Sequence, residues 1–261
     1  MIGIMSAMQE EVRSLLQSLK NPKEITKGMR TYYTGVLFDK KCVIVFSRWG
    51  KVAAASTATQ LINDYNLNEI IFTGVAGAMD PSLNIGDVVI GKELFQHDLN
   101  ATPFYQKFHI PILDLKSITI KTNDRLLKST HLFFDNYNAY IDKTESAVFK
   151  IYSPKVIIGD IATGDQFISS KQKMNDLKNE LPSAMCVEME GAAVAQVCLE
   201  YEVPFSIFRI ISDKANDNAH IDFSRFANSI ASNYALGILK EYFSYTLFFY
   251  LFLSNSMNNA I

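Results

Sequence analysis

The sequence predicts an α/β fold: a single domain with a mixed central β-sheet flanked by helices. Three observations carry this expectation. Short β-branched apolar runs have strand length, helical apolar spacings fall between them, and no linker, repeat or low-complexity stretch interrupts the alternation. The runs are Ile2–Met5, Lys41–Phe46, Ile70–Thr73, Val88–Ile90, Val156–Ile161 and Phe205–Ile211. Their hydrophobicity is continuous, which is the pattern of strands covered on both faces.

Along the chain, Glu10 and Glu11 follow the first run and open a predicted helix to about Leu19, where two acids suit the positive end of the helix dipole. Val52, Ala55, Thr59 and Ile62 repeat at three and four, so they predict a helix with its apolar stripe on those residues. Thr73-Gly-Val-Ala-Gly77 reads as a tight turn or an anion-binding nest. It has neither Walker nor G-x-G-x-x-G spacing. Asp165, after Gly164, is ordinary turn chemistry. Cys186-Val-Glu-Met-Glu-Gly-Ala-Ala brings a strand into a tightly packed helix, with Glu188 and Glu190 at the junction. Asp213 follows the last strand as a helix N-cap or an ion pair with Lys214. Phe223, Phe226, Ile230, Tyr234 and Ile238 give a final amphipathic helix.

Composition narrows the function. Of 261 residues, 48% are hydrophobic, enough for a substantial core. A net charge of −2 without a basic block speaks against a nucleic-acid partner. Cys42, Cys186 and Cys198 lie apart or in apolar segments, as buried thiols of a reducing compartment do. His97, His109, His131 and His220 lack metal-ligand spacing, so no metal site is expected. The N-terminus has no basic region before its apolar run and does not read as a signal peptide. Tyr245–Leu253 is almost wholly apolar but far short of the ~20 residues that span a bilayer. Residues 244–261 are therefore set apart from a domain over 1–243, as a packed or oligomer-covering tail or an unordered extension. Membrane contact through this tail is disfavoured, because an in-plane anchor would need a basic face.

In sheets of this type ligands bind beyond the carboxyl ends of the strands. Strand after strand delivers an acid or a glycine turn there: Glu10-Glu11, Thr73–Gly77, Thr163–Ile168, Glu188-Met-Glu190 and Ser212-Asp213. Each is weak alone; together they do not resemble a solvated surface.

The ordered motifs Ala7-Met-Gln-Glu-Glu11, Gly50-Lys-Val-Ala-Ala54, Thr73-Gly-Val-Ala-Gly77, Ile85-Gly-Asp-Val-Val89, Thr163-Gly-Asp-Gln-Phe-Ile168, Val187-Glu-Met-Glu190 and Arg209-Ile-Ile-Ser-Asp213 resemble the bacterial 5′-methylthioadenosine/S-adenosylhomocysteine nucleosidases of the nucleoside phosphorylase superfamily. The resemblance covers nearly the whole chain except the tail. It implies a nucleoside phosphorylase-like fold, hydrolysis of the adenine–ribose bond of 5′-thioadenosines and possibly of 5′-deoxyadenosine, no cofactor, a homodimer, and a cytoplasmic place in methionine salvage. Residue by residue, it implies that Glu11 activates water and Asp213 protonates the purine. Met189 and Glu190 bind the ribose, Phe167 and the main chain of Ile168 the adenine. Ala76, Gly77 and Arg209 are further substrate-binding positions, and Phe223 and Phe104 surround the 5′ substituent, Phe104 from the neighbouring subunit.

Those residue types suit the chemistry. An acid at purine N7 improves the leaving group, and a carboxylate near the sugar favours an oxocarbenium ion. Such an acid must stay protonated, which calls for a desolvated site. The related phosphorylases carry an arginine for phosphate where this chain has Phe72, and an apolar ring cannot replace it. A phosphorylase is thus the first alternative, and a surface or membrane-associated binding protein with a vestigial pocket the second. Two departures stand out. Ser47-Arg-Trp-Gly-Lys51 replaces the common Ser-Gly-Ile-Gly-Lys, so Arg48 brings a cation near the sugar side. Val75 replaces a serine that often helps to hold the water. Trp49 either lines the site or packs into the core.

Overall fold

The computed structural model describes residues 1–121, 124–214 and 219–244, without the side chains of 219–222. The expectations for His220 and for Tyr245–Leu253 lie outside them. Among the described residues ten strands form one mixed sheet. Strands β1 (Ile2–Ser6), β2 (Lys20–Lys27), β3 (Arg30–Leu37), β4 (Lys40–Phe46) and β5 (Glu69–Ala78) supply one part. Strands β6 (Val88–Gln96), β7 (Ile118–Thr119), β8 (Val156–Thr163), β9 (Ala184–Glu188) and β10 (Phe205–Asp213) supply the other. The order is β10-β6-β8-β9-β5-β1-β4-β3-β2, with β10 also pairing β5. Strands β5, β10, β6, β8 and β9 therefore close a circuit, from which β1, β4, β3 and β2 extend as an open wing.

All six strands expected from the apolar runs are present. Their burial alternates between two cores, as a period of two requires. Ile4, Ile44, Ile71, Phe208 and Ile210 point into one core, and Met5, Val43, Val45, Ile70, Phe72, Ile207 and Ile211 into the other. The first core is sealed by the C-terminal helix through Phe226, Ile230, Tyr234 and Ile238, all fully buried. At about 1.5–3 kcal/mol for each large apolar side chain removed from water, this stripe anchors the helix firmly. The second core is sealed by α2 (Lys51–Asp64) and α6 (Gly191–Glu200), between which the chain forms α3 (Asp124–Asp135), α4 (Lys143–Val148) and α5 (Lys171–Glu180).

Several expectations change. Strand β2 is exposed along its whole length and β3 is half-buried, so neither shows an apolar run. Strand β2 forms the sheet edge, where Pro22 and its lysines discourage further pairing. The buried face of α2 is Ala54, Thr57, Ala58 and Leu61, while Val52 is 82% exposed. Small residues face inward because α6 presents Ala192 and Ala195 to the same core. The first helix is divided: one 3₁₀ turn at Gln9–Glu11, then α1 (Arg13–Ser18). Thr73–Gly77 is neither turn nor nest but the continuation of β5, with Gly77 in register with Asp213 and Val187. The last helix runs through α7 (Ala219–Phe226), a π-helical turn at Ala227–Ala231 and residues 232–244.

Candidate active site

The carboxyl ends of β1, β5, β9 and β10 and the loop after β8 surround a cavity of about 380 Å³. Glu11, Ala76, Gly77, Phe167, Ile168, Met189, Glu190, Asp213 and Phe223 all line it, as do Glu188 and Trp49. Among the described lining residues are four carboxyl groups and no lysine or arginine.

Glu11 is buried, and its side chain turns back instead of meeting solvent at a helix end. One carboxylate oxygen accepts from the amides of Ala7 (3.1 Å) and Met8 (2.9 Å) and from the Ser6 hydroxyl. The other accepts from the Val75 amide at 2.9 Å. Burial raises the pKa of Glu11, and the Ser6 hydrogen bond and nearby Arg209 act in the opposite direction. A raised pKa makes a stronger base near neutrality. Gly74 is needed beneath it, because a Cβ there would stand 3.0 Å from the Glu11 carboxylate and 3.4 Å from Arg209.

The two glutamates flanking Met189 have separate tasks. Glu188 accepts from the amides of Gly191 (2.8 Å) and Glu190 (3.1 Å) and from the Thr163 hydroxyl, so it caps α6. It also pairs with Arg209 at 2.8 Å. Glu190 is thereby free to face the cavity, with the Gly50 amide donating to it at 2.8 Å. Burial first, then the neighbouring charge of Glu188, pushes the Glu190 carboxyl up to about 8. Gly50 has φ +93°, and a Cβ would meet Asp165 at 3.0 Å, so only glycine fits comfortably. Asp165 itself accepts from the Lys51 amide at 2.7 Å and fastens the start of α2.

Asp213 is buried in the cavity wall and accepts from Ser212 at 2.8 Å. Phe223 stands edge-on to both Phe167 (5.7 Å between centroids) and Trp49 (6.4 Å). Trp49 is therefore at the cavity mouth, 61% exposed, and not in the core. Two positions lie elsewhere. Arg209 is 1% exposed behind the lining, between Glu188 and the Phe72 ring, 4.2 Å from its centroid. Phe104 is 87% exposed and does not reach the cavity of its own chain. Sequence reasoning gave no site role to Ser6, Gly50 or Met8, although Gly50 and Met8 stand in the motifs that carry the resemblance and Ser6 is a polar residue ending an apolar strand. Among the described residues no three His, Cys, Asp or Glu side chains are grouped to hold a metal.

The phosphorylase superfamily model matches residues 1–244. The 5′-methylthioadenosine/S-adenosylhomocysteine nucleosidase of Staphylococcus haemolyticus is 39% identical over 236 residues, covering 89% of this chain and 95% of that protein. The structure of such a nucleosidase from Colwellia psychrerythraea, in complex with adenine, superimposes with a TM-score of 0.78 at 30% identity over 92% and 93% of the two chains. Futalosine hydrolase of Helicobacter pylori gives a TM-score of 0.74 at 32% identity over 92% and 96%. Fold, site and relatives define an enzyme of the N-glycosidase class, a hydrolase of N-glycosyl bonds. The chain belongs to the phosphorylase superfamily and, within it, to the 5′-methylthioadenosine/S-adenosylhomocysteine nucleosidase family.

Proposed function

We propose that the protein hydrolyses the adenine–ribose bond of 5′-methylthioadenosine and S-adenosylhomocysteine. The observation that carries this reading is the presence of Glu11 and Asp213 in one cavity, with no lysine or arginine among its described lining residues. In the proposed reaction Glu11 takes a proton from water as its oxygen attacks the anomeric carbon. The carbon–nitrogen bond breaks towards the purine, and Asp213 supplies the proton that lets adenine leave neutral. Met189 and Glu190 hold the ribose, Glu190 through hydrogen bonds with its hydroxyls. Phe167 offers a flat face to adenine and Ile168 its main chain, while Phe223 borders the 5′ substituent. Ala76 and Gly77 allow close approach along β5. Arg209 acts from behind, through Glu188 and the field at Glu11.

Phosphorolysis is not favoured, because Arg209 is committed to Glu188 and the lining supplies no guanidinium for phosphate. We also propose a homodimer in the cytoplasm, acting in methionine salvage. Exposed Phe104, Val52 and Ile112 support it, since apolar groups of that size gain from being covered, and Phe104 would complete a neighbour's 5′ pocket. No described helix is long and apolar enough to cross a membrane.

Adenine release from 5′-methylthioadenosine, with and without phosphate, tests the reading. Turnover independent of phosphate and abolished in Asp213→Asn is expected. Phosphate-dependent turnover would sink it.

A further inference from the structure

A second chamber of about 540 Å³ adjoins the active-site cavity and shares Ala7, Met8, Trp49, Phe223 and Ser224 with it. The shared residues include both rings at the 5′ side, so a 5′ substituent too long for the inner cavity runs into this chamber. Its remaining walls are polar: Gln9, Glu10, Arg48 and Asn228, with Ala227. An extension arriving there meets one cation and one anion. Among the described residues the side chains of Arg48 and Glu10 make no hydrogen bond or ion pair, with each other or with a neighbour; the Arg48 guanidinium only overlies the Phe46 ring, 4.9 Å from its centroid.

Two backbone features point to the same place. Arg48 has φ +76°, a left-handed conformation that favours glycine, and its amide is tied to the Ala7 carbonyl at 3.0 Å. Strain retained at a residue with a free charged head, beside a site, is a sign of function. The π-helical turn at Ala227–Ala231 puts Ala227 and Asn228 in the wall of the same chamber, and such turns recur at functional sites.

We infer that Arg48 and Glu10 form a zwitterion subsite: Arg48 receives the carboxylate, and Glu10 the ammonium, of an α-amino acid carried on the 5′-thio substituent. The subsite rests on the nucleosidase reading of the inner cavity and selects among its substrates. S-Adenosylhomocysteine engages both groups. 5′-Methylthioadenosine ends before reaching either. The contacts are made at the rim in both ground state and transition state, so their effect falls on KM.

The test compares adenine release from S-adenosylhomocysteine, 5′-methylthioadenosine and the length-matched apolar 5′-butylthioadenosine, in parental protein, Arg48→Gln, Arg48→Gly, Arg48→Lys and Glu10→Gln. For an exposed charge pair, KM for S-adenosylhomocysteine should rise about fivefold in Arg48→Gln, Arg48→Gly and Glu10→Gln, with kcat unchanged and Arg48→Lys largely restoring it. The difference should shrink as ionic strength rises. The other two substrates should stay within about twofold, and Arg48→Gly should be at least as heat-stable as the parent, because it relieves the backbone. A KM for S-adenosylhomocysteine indifferent to Arg48, or equal losses on all three substrates, overturns the inference while leaving the nucleosidase reading intact. No adenine from any substrate with parental protein overturns that reading and the subsite with it.

Discussion

Arg209, in the middle of β10, and Glu188, at the end of β9, meet at 2.8 Å, and both are almost fully buried. The guanidinium also donates to the carbonyls of Phe72 and Phe208, and the carboxylate caps α6. The pair thus fixes the helix start that aims Glu190 at the cavity. Removing one partner strands the other charge in the core, which costs about 3–5 kcal/mol. Arg209→Met and Glu188→Gln should each show that loss in urea unfolding, together with lower activity. Stability within about 1 kcal/mol of the parent in both variants would rule out the pair as the support of this wall.

Ser6 controls Glu11 by hydrogen bonding to its charged form, which lowers a pKa that burial raises. Removing the hydroxyl in Ser6→Ala should raise the Glu11 pKa further. A base must be deprotonated to act, so the acid limb of kcat/KM against pH should move to higher pH while the plateau changes little. Glu11→Gln should instead lower the plateau by about 100-fold or more. An acid limb identical in Ser6→Ala and the parent would show that another group governs it.

Glu190 makes stability depend on pH. Its folded-state pKa, about 8, lies above the ordinary glutamate value of 4.5, so the folded protein binds more protons than the unfolded chain between these limits. Stability should then fall as pH rises through that window, by an amount on the order of a few kcal/mol. Burial of Glu11 pushes in the same direction. Glu190→Gln should flatten the decline and unfold at a higher temperature than the parent at pH 9, though it should be impaired in catalysis. Parallel melting curves of the two proteins from pH 5 to 9 would contradict the assignment.

The parts legible in the sequence are those encoded locally. Six strands showed as apolar runs because both of their faces are covered, and the final helix showed in Phe226, Ile230, Tyr234 and Ile238 at regular spacing. The carboxylates at strand ends could also be read, since a fold of this type gathers strand ends at one edge. What escaped depends on neighbours distant in sequence. Strands β2 and β3 show no apolar run because they lie at the outer, open side of the wing. The inward face of α2 is mostly small residues because α6 approaches closely, so a search for large apolar residues picks Val52 on the wrong side. By spacing alone Glu11 is a helix-dipole acid; only the converging amides of Ala7, Met8 and Val75 draw it inward. The closure of the sheet through the short β5–β9 pairing has no local signature either.

Trp49 offers a direct optical test of the site, because it is the protein's sole tryptophan. Its ring is largely exposed, lines the active-site cavity and stands edge-on to Phe223. An indole in water emits at long wavelength, and covering it with an apolar group shifts the emission to shorter wavelength. A 5′-thio nucleoside bound against Phe223 would displace water from that ring and place a second π-system beside it. Titration with a non-hydrolysable 5′-methylthioadenosine analogue should therefore quench and blue-shift the emission saturably, with a midpoint matching the calorimetric Kd. Trp49→Ala should raise the KM for 5′-methylthioadenosine several-fold, because a contact present in both ground and transition states is lost. Emission unchanged at calorimetric saturation would mean that the ring stays in solvent when the site fills, and that Phe223 alone borders the 5′ group on this side of the chain.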